Sequence, residues 1–367
     1  MKDERIVSYY MALLPLMAGY TVFPGTNLDL GLLGLVFIIF FCRTRIRSIS
    51  CVELFLIYIL LLTPFLWLAA SEIYGEFSAV FLRWVKYLAM IIIFIFMGIK
   101  DRTNINLMMS LMHKVIAIAV VFLIFQRFFY ELGIIIENPL VRFTRYEGYM
   151  TEDFLDLNFF RPSAFFLEPA HFSQYCIPYL IYKLYEEENI KHFLFASLGI
   201  LMTGSGQGLV FVVLLLTLKI FLKYRENIIL MISSLGMLVF SFLVLIQIDF
   251  LSRVLGRLGK AFYARVGDGF RVYLDSSIWE IFWGHGLGNI YTPMYYNGNE
   301  YILFTLGVIG LLLFFISFLI QLFKLDKSWK KIGMAMFLLT NSISATFTPD
   351  AIVHVLTIYK NDRKKSK

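Results

Sequence analysis

The sequence predicts an all-α fold, a polytopic integral membrane helical bundle, and three observations predict it. Of the 367 residues, 59% are apolar, 17% aromatic and only 16% charged, a balance with too little polar surface for a water-soluble fold. The apolar residues come in long runs without alternation, the pattern of spanning helices rather than barrel strands. Charges collect in the stretches between those runs.

Taken in order, the chain opens with MKDERIVSYYMALLPLMAGY. Basic residues precede an apolar run without a small-x-small cleavage site, so an uncleaved first helix is expected at about 6–24. Apolar runs place further spans at about 28–42, 52–70, 80–99, 107–130, 164–182, 193–204, 207–222, 227–248, 299–323, 332–347 and 350–359. That makes about twelve transmembrane or half-membrane helices. The runs at 193–204 and 350–359 are too short to cross roughly 30 Å of hydrocarbon, and are expected to be half-helices inside the bundle. Lys and Arg crowd the connections at Arg43–Arg47, Lys100–Arg102, Lys183–Lys191, Lys219–Arg225 and Lys324–Lys331, and the tail after Lys360. The positive-inside bias makes these cytosolic, with both termini. An even number of crossings then requires a reversal or a re-entrant turn within Ser342 to Pro349. Cys42 and Cys51 flank a basic connection and Cys176 lies in a span, so no disulfide is expected.

Two long loops, about 131–163 and 249–298, fall on the outer face. Structured loops of this length usually carry function. In the second, LSRVLGRLGKAFYAR sets Arg253, Arg257 and Lys260 against an apolar face, the pattern of an interfacial amphipathic helix. Arg83, Lys86, Arg127, Arg142, Arg145 and Arg161, with Arg253, Arg257, Lys260, Arg265 and Arg271, put eleven of the 33 basic residues at or beyond the outer boundary. Such a departure from the usual bias implies a negatively charged partner there. No nucleic-acid module, phosphate-binding glycine loop or internal repeat is present. The expected partner is the lipid bilayer, and no nucleic acid.

The chemistry concentrates in RPSAFFLEPAHFSQY, where Arg161, Glu168 and His171 precede or enter an apolar span. Charged groups near hydrocarbon are costly and mark function. Each also has a plain structural reading. Glu168 before Pro169 fits a helix N-cap whose carboxylate accepts first-turn amides; His171 fits a hydrogen bond inside the bundle. The basic face of 253–260 fits a solvated interfacial helix, and His285 in GHGLG fits loop architecture. The acidic residues Asp153, Asp156, Asp268 and Asp275 have no metal-ligand spacing, so neither metal nor cofactor is expected.

Three segments carry a resemblance. RPSAFFLEPAHFSQY resembles the Arg-x-Ser-(Gly/Ala)-Phe-Phe-x-Glu-Pro segment of the Wzy-type polymerases of O-antigen and capsular polysaccharide. LMTGSGQGLVFVVL is similar to that family's helix break, with Gly206 where an arginine often stands. Arg271, WEIFWGHGLGNI and NEYILFTLGVIGLLLF resemble the arginine, Gly-x-Gly turn and Gly-x-x-Gly helix shared with O-antigen ligases, although the ligases' histidine before that helix is missing.

The resemblance implies a glycosyltransferase in the bacterial cytoplasmic (inner) membrane with its site facing the periplasm or cell exterior. It would move a growing glycan from undecaprenyl diphosphate to the non-reducing end of the next lipid-linked repeat unit. A chain-length regulator is the implied protein partner. A diphosphate leaving group needs fixed positive donors, which arginine supplies; Arg161 and Arg271 come first, then Arg253, Arg257 and Arg265. Asn299 and Glu300 complete the candidate substrate-binding set. The attacking hydroxyl needs a base. His171 is preferred, with Glu168 orienting it or holding Arg161. Direct displacement inverts the anomeric centre. The rival readings are an O-antigen ligase and a flippase for the same lipid-linked oligosaccharide.

Overall fold

A computed structural model describes residues 2–22, 29–42, 49–74, 76–143, 160–246, 273–290, 296–344 and 347–361. These residues are helical, with no β-strand among them. Among the described residues five helices are long and apolar enough to cross a membrane: Cys51–Ala69, Phe77–Phe96, Ile105–Glu131, Gly206–Tyr224 and Gly298–Lys324. The chain forms two compact units, one of Met1–Ala18, Asn27–Met108 and Phe262–Lys367, the other of Gly19–Thr26 and Met109–Ala261.

The first unit begins with α1 (Lys2–Met17), α2 (Leu30–Phe41), α3 (Cys51–Ala69), α4 (Phe77–Phe96) and the short α5 (Ile99–Arg102). Asp29 starts α2 by accepting the Leu32 amide at 2.7 Å, and its other oxygen meets Lys86 of α4 at 2.6 Å. The Ser50 and Glu53 side chains cap α3 reciprocally, and Glu53 also holds Lys100 at 2.8 Å. These pairs anchor helix ends where first-turn amides need partners.

The chain continues through α6 (Ile105–Glu131), α7 (Pro169–Tyr185), α8 (Ile190–Thr203), α9 (Gly206–Tyr224) and α10 (Ile228–Ile246), and returns to the first unit with α11 (Ile278–Trp283), α12 (Gly298–Lys324), α13 (Ser328–Asn341) and α14 (Pro349–Ile358). Helix α12 packs on α3 and α11, and α14 on α1, α4 and α5. Phe314 centres the aromatic packing, with Phe318 at 4.7 Å and Phe347 at 5.6 Å between ring centroids. Helix α13 ends at Asn341 and α14 begins at Pro349, so the segment expected to hold a reversal or a re-entrant turn joins two helices.

Helix α12 is not continuous. Gly307 has φ 66° and ψ −173°, outside helical geometry. A break inside an apolar helix frees carbonyls that lipid cannot satisfy. The GHG loop after α11 satisfies them: the His285 amide donates to Phe304 O at 3.0 Å and the Gly286 amide to Thr305 O at 2.8 Å. Contact is close enough to require glycine on both sides. A Cβ on Gly307 would collide with the Phe282 backbone, and one on Gly284 with the Thr305 backbone.

In the second unit α7, α8 and α9 pack together, joined by short connections, and α10 packs on α9. Asn189 caps α8 and Ser205 caps α9 through their side chains. Helix α7 starts at Pro169, not at 164 as the apolar run suggests, because proline fits the first helical position and the preceding chain is braced in another shape. Likewise α1 stops at Met17 rather than 24, and the expected helix 332–347 is displaced to Ser328–Asn341. The proposed interfacial helix near 251–265 lies outside the described residues.

Candidate functional site

The segment ahead of α7 is built by three polar side chains drawn from separate parts of the second unit. Gln126, in the apolar run of α6, accepts the Ala164 amide at 2.9 Å and donates to Ile136 O at 2.9 Å. Asn138 donates to Phe166 O at 2.9 Å and to the Tyr20 hydroxyl at 2.8 Å. The Tyr20 hydroxyl in turn donates to Phe165 O at 2.5 Å. Gln126, Asn138 and Tyr20 are buried, so each bond replaces water that is not there. Burial pushes the Tyr20 phenol up to about 12, against a smaller lowering by Asn138, so Tyr20 stays a donor at any working pH.

Within this brace Ala164 takes φ 53°, a left-handed conformation costing roughly 1–2 kcal/mol in a residue with a side chain. Such strain persists where the surroundings over-determine the backbone. Phe166 packs edge-on against Phe172 at 5.3 Å, tying the segment to the helix it enters.

Arg161 stands at the start of this ledge, and Glu168 and His171 at its end; all three are partly buried. Glu168 is the N-cap of α7, but its carboxylate takes none of the first-turn amides. The capping role expected from Glu-Pro is thus overturned: the longer glutamate side chain is a poor substitute for the short acceptors that reach back to those amides. The His171 amide donates to Glu168 O at 3.0 Å, placing both residues in one helical turn. Chemically the segment offers a cation, a carboxylate and an imidazole on either side of a backbone held at Ala164, Phe165 and Phe166 by buried hydrogen bonds. Among the described residues no three His, Cys, Asp or Glu side chains converge to hold a metal ion.

Asn299 and Glu300 belong to the first unit. Glu300 and Asn297 cap α12 reciprocally, with Glu300 N to Asn297 Oδ1 at 2.9 Å and Asn297 N to Glu300 Oε2 at 3.2 Å. Asn299 donates to Ser342 Oγ at 2.8 Å and accepts from Asn341 at 2.9 Å. The Glu300 side chain therefore caps the start of α12, and that of Asn299 holds this start against the end of α13. Arg253, Arg257, Arg265 and Arg271 lie outside the described residues.

His285 is loop architecture with a polar companion. Its Nδ1 lies 3.0 Å from Phe304 O, which can only accept, so Nδ1 carries the hydrogen. Its ring stacks on Phe304 at 4.3 Å, and Nε2 lies 3.5 Å from Glu280 Oε1. Glu280 is buried in α11 and accepts from Ser71 N at 2.8 Å, Ser71 Oγ at 2.5 Å, Ser277 N at 2.9 Å and Ser277 Oγ at 2.7 Å. Burial alone would raise its carboxyl, but the hydrogen bonds from Ser71 and Ser277 outweigh that and hold it down to about 2.

Sequence reasoning passed over Gln126, Asn138, Tyr20 and Glu280. The available signal was an amide inside the apolar run of α6, which hydrocarbon tolerates only with partners. No family model, curated protein or solved structure matches the chain.

Proposed function

We propose that this chain is a polymerase of lipid-linked oligosaccharide repeat units, of the Wzy type that its segments resemble. The observation that carries the reading is the braced ledge of Arg161, Glu168 and His171 at the mouth of α7. Polar groups positioned before the reaction need no reorganisation during it, and that is how a departing diphosphate is best stabilised. Arg161 supplies positive charge to the leaving group. His171 takes the proton of the attacking hydroxyl, and Glu168 orients it or holds Arg161. The resemblance also nominates Arg253, Arg257, Arg265, Arg271, Asn299 and Glu300 for diphosphate or substrate binding, each to be tested by its own substitution. The reaction inverts the anomeric centre and uses no metal.

On this reading the helices cross a bacterial cytoplasmic membrane about twelve times counting half-helices, with both termini in the cytosol and the ledge facing outward. The substrate is undecaprenyl-diphosphate-linked oligosaccharide, and a chain-length regulator is the protein partner.

The test is gene deletion with gel analysis of the surface glycan and of the extracted lipid-linked pool. A polymerase leaves single repeat units on the final acceptor and no ladder, restored by wild type. Arg161→Ala and His171→Ala, present in the membrane at normal level, are expected to lower polymer by about 10²-fold or more, the scale of a lost general base or charge donor. Normal ladders from both variants would defeat the site assignment. Long polymer stranded on undecaprenyl diphosphate would mean a ligase, and repeat units trapped in the inner leaflet a flippase.

A further inference from the structure

The turn from α8 into α9 contains a buried polar side chain that has no partner among the described residues. Helix α8 ends at Gly204, and Ser205 caps α9. The other polar side chains of this turn are consumed by the turn itself: Thr203 Oγ1 donates to Ile200 O at 2.7 Å and accepts from Ser205 N at 3.3 Å, while Ser205 Oγ accepts from Gly208 N at 3.3 Å. Gln207, in the first turn of α9, is 6% exposed. Neither its Nε2 nor its Oε1 has a hydrogen-bond partner among the described residues.

An unpaired buried polar group is destabilising, and two on one side chain call for a reason. The setting supplies one. Helices α7 and α9 pack together, and the turn at Gly208 lies so close to α7 that a Cβ there would strike Ser173 Oγ. Near its start α7 meets the start of α9 at Ser173 and Gly208, and at its end Tyr185 donates to Leu215 O farther along α9, so α7 and α9 point the same way. Their amino ends, both positive, lie side by side, and Glu168 and His171 sit at the amino end of α7. Gln207 is on the buried face of α9 at that same level, with Gly208, Phe211 and Leu215.

The chemistry of the unmet amide limits what it binds. A diphosphate accepts hydrogen bonds and gives none, so it would leave Oε1 unpaired. A sugar hydroxyl or acetamido group both gives and takes, and satisfies both ends of the amide. We propose that Gln207 is a carbohydrate-binding residue, which grips an uncharged substituent on a sugar of the repeat unit and holds that sugar beside the α7 amino end. This rests on the polymerase reading and adds to it the group that recognises sugar rather than diphosphate.

The test uses Gln207→Leu and Gln207→Met in the full chain, with the native repeat unit supplied by the cell. Two quantities are read: the unfolding midpoint of the purified protein without substrate, and the amount of polymer on a glycan gel. A ligand-binding amide without a partner in the free protein predicts an unchanged or higher midpoint, since an apolar side chain removes a buried unpaired group. It also predicts a fall in polymer on the order of 10- to 100-fold, the worth of one or two hydrogen bonds. Wild-type polymer from both variants overturns the proposal, and so does a lowered midpoint in both, which would give the amide a structural partner. Arg161→Ala separates the levels: if it loses polymer while the Gln207 variants keep it, only the sugar contact is wrong. If deletion of the gene leaves the polymer unchanged, the polymerase reading falls and the Gln207 assignment with it.

Discussion

At the scale of single residues, Glu280 has the clearest energetic signature. Its four hydrogen bonds come from Ser71 and Ser277, so it ties the end of α3 to α11. A free glutamate titrates near 4.3, and in the fold this one is held down to about 2. The depressed folded value means that its contribution to stability is complete above the unfolded value and is lost as pH falls toward 2. The unfolding midpoint of wild type is expected to drop relative to Glu280→Gln between about pH 4.5 and 2, by an amount worth on the order of 1–3 kcal/mol. A difference between the two proteins that stays flat across that range would show that the carboxylate is not held in its charged form. Residues of this kind were hard to read in the sequence. Glu280 looks like one acid in an aromatic stretch, and its partner Ser71 is 209 positions away; likewise Gln126 and Ala164 meet across 38. By contrast Arg161, Glu168 and His171 were legible, because three ionisable groups around the start of an apolar run are conspicuous without any knowledge of their partners.

Among elements, helix existence was legible and helix interruption was not. Runs of apolar residues announce α3, α4, α6, α9 and α12 because hydrocarbon demands them. The break in α12 is invisible in that pattern, since glycine in a spanning helix more often marks close packing. What identifies Gly307 as a break is its complement in the GHG loop, where Gly284 meets the Thr305 backbone as Gly307 meets that of Phe282. Gly307→Ala is therefore expected to lower stability by at least the 1–2 kcal/mol of a left-handed alanine, and further because the Phe282 backbone has to move. Gly310 has no positive φ, so Gly310→Ala carries only the contact with Leu306 Cβ and is expected to cost less. Equal losses in the two unfolding curves would contradict the interlock.

A second element-scale dependence joins α2 to α4. Asp29 is 1% exposed and Lys86 15% at the side chain. Breaking a buried pair by removing one partner costs about 3–5 kcal/mol, because the other charge is stranded. Lys86→Met should thus be severely destabilising and should be partly rescued by adding Asp29→Asn, which keeps an acceptor for the Leu32 amide. Thermal unfolding of the single and double variants checks this; a double variant no better than Lys86→Met would mean that the lysine acts through another contact.

For the molecule as a whole, charge distribution is what orients the chain, and it makes a prediction that the helices alone do not. Five helices have the length and hydropathy to cross, while α8 with 14 residues and α14 with ten are too short to span roughly 30 Å as straight helices. Counting apolar runs therefore cannot by itself decide on which side each connection lies. Lysine and arginine can: the α9–α10 connection carries Lys223 and Arg225 and the tail beyond Lys360 is basic, whereas the chain after α6 turns at Gly133 with no Lys or Arg until Arg142. Positive-inside bias then puts the first two in the cytosol and the third outside. Fusions ending at Glu226 or Lys367 are expected to fluoresce with a green fluorescent reporter and to lack activity with a secreted phosphatase; a fusion ending at Gly133 is expected to do the reverse. An active phosphatase at Lys367 would place the tail outside and require an odd number of crossings. An inactive one at Gly133 would set the chain entering the Arg161 ledge on the cytosolic side, where a site for outward-facing lipid-linked glycan has no substrate, and the polymerase reading would fail with it.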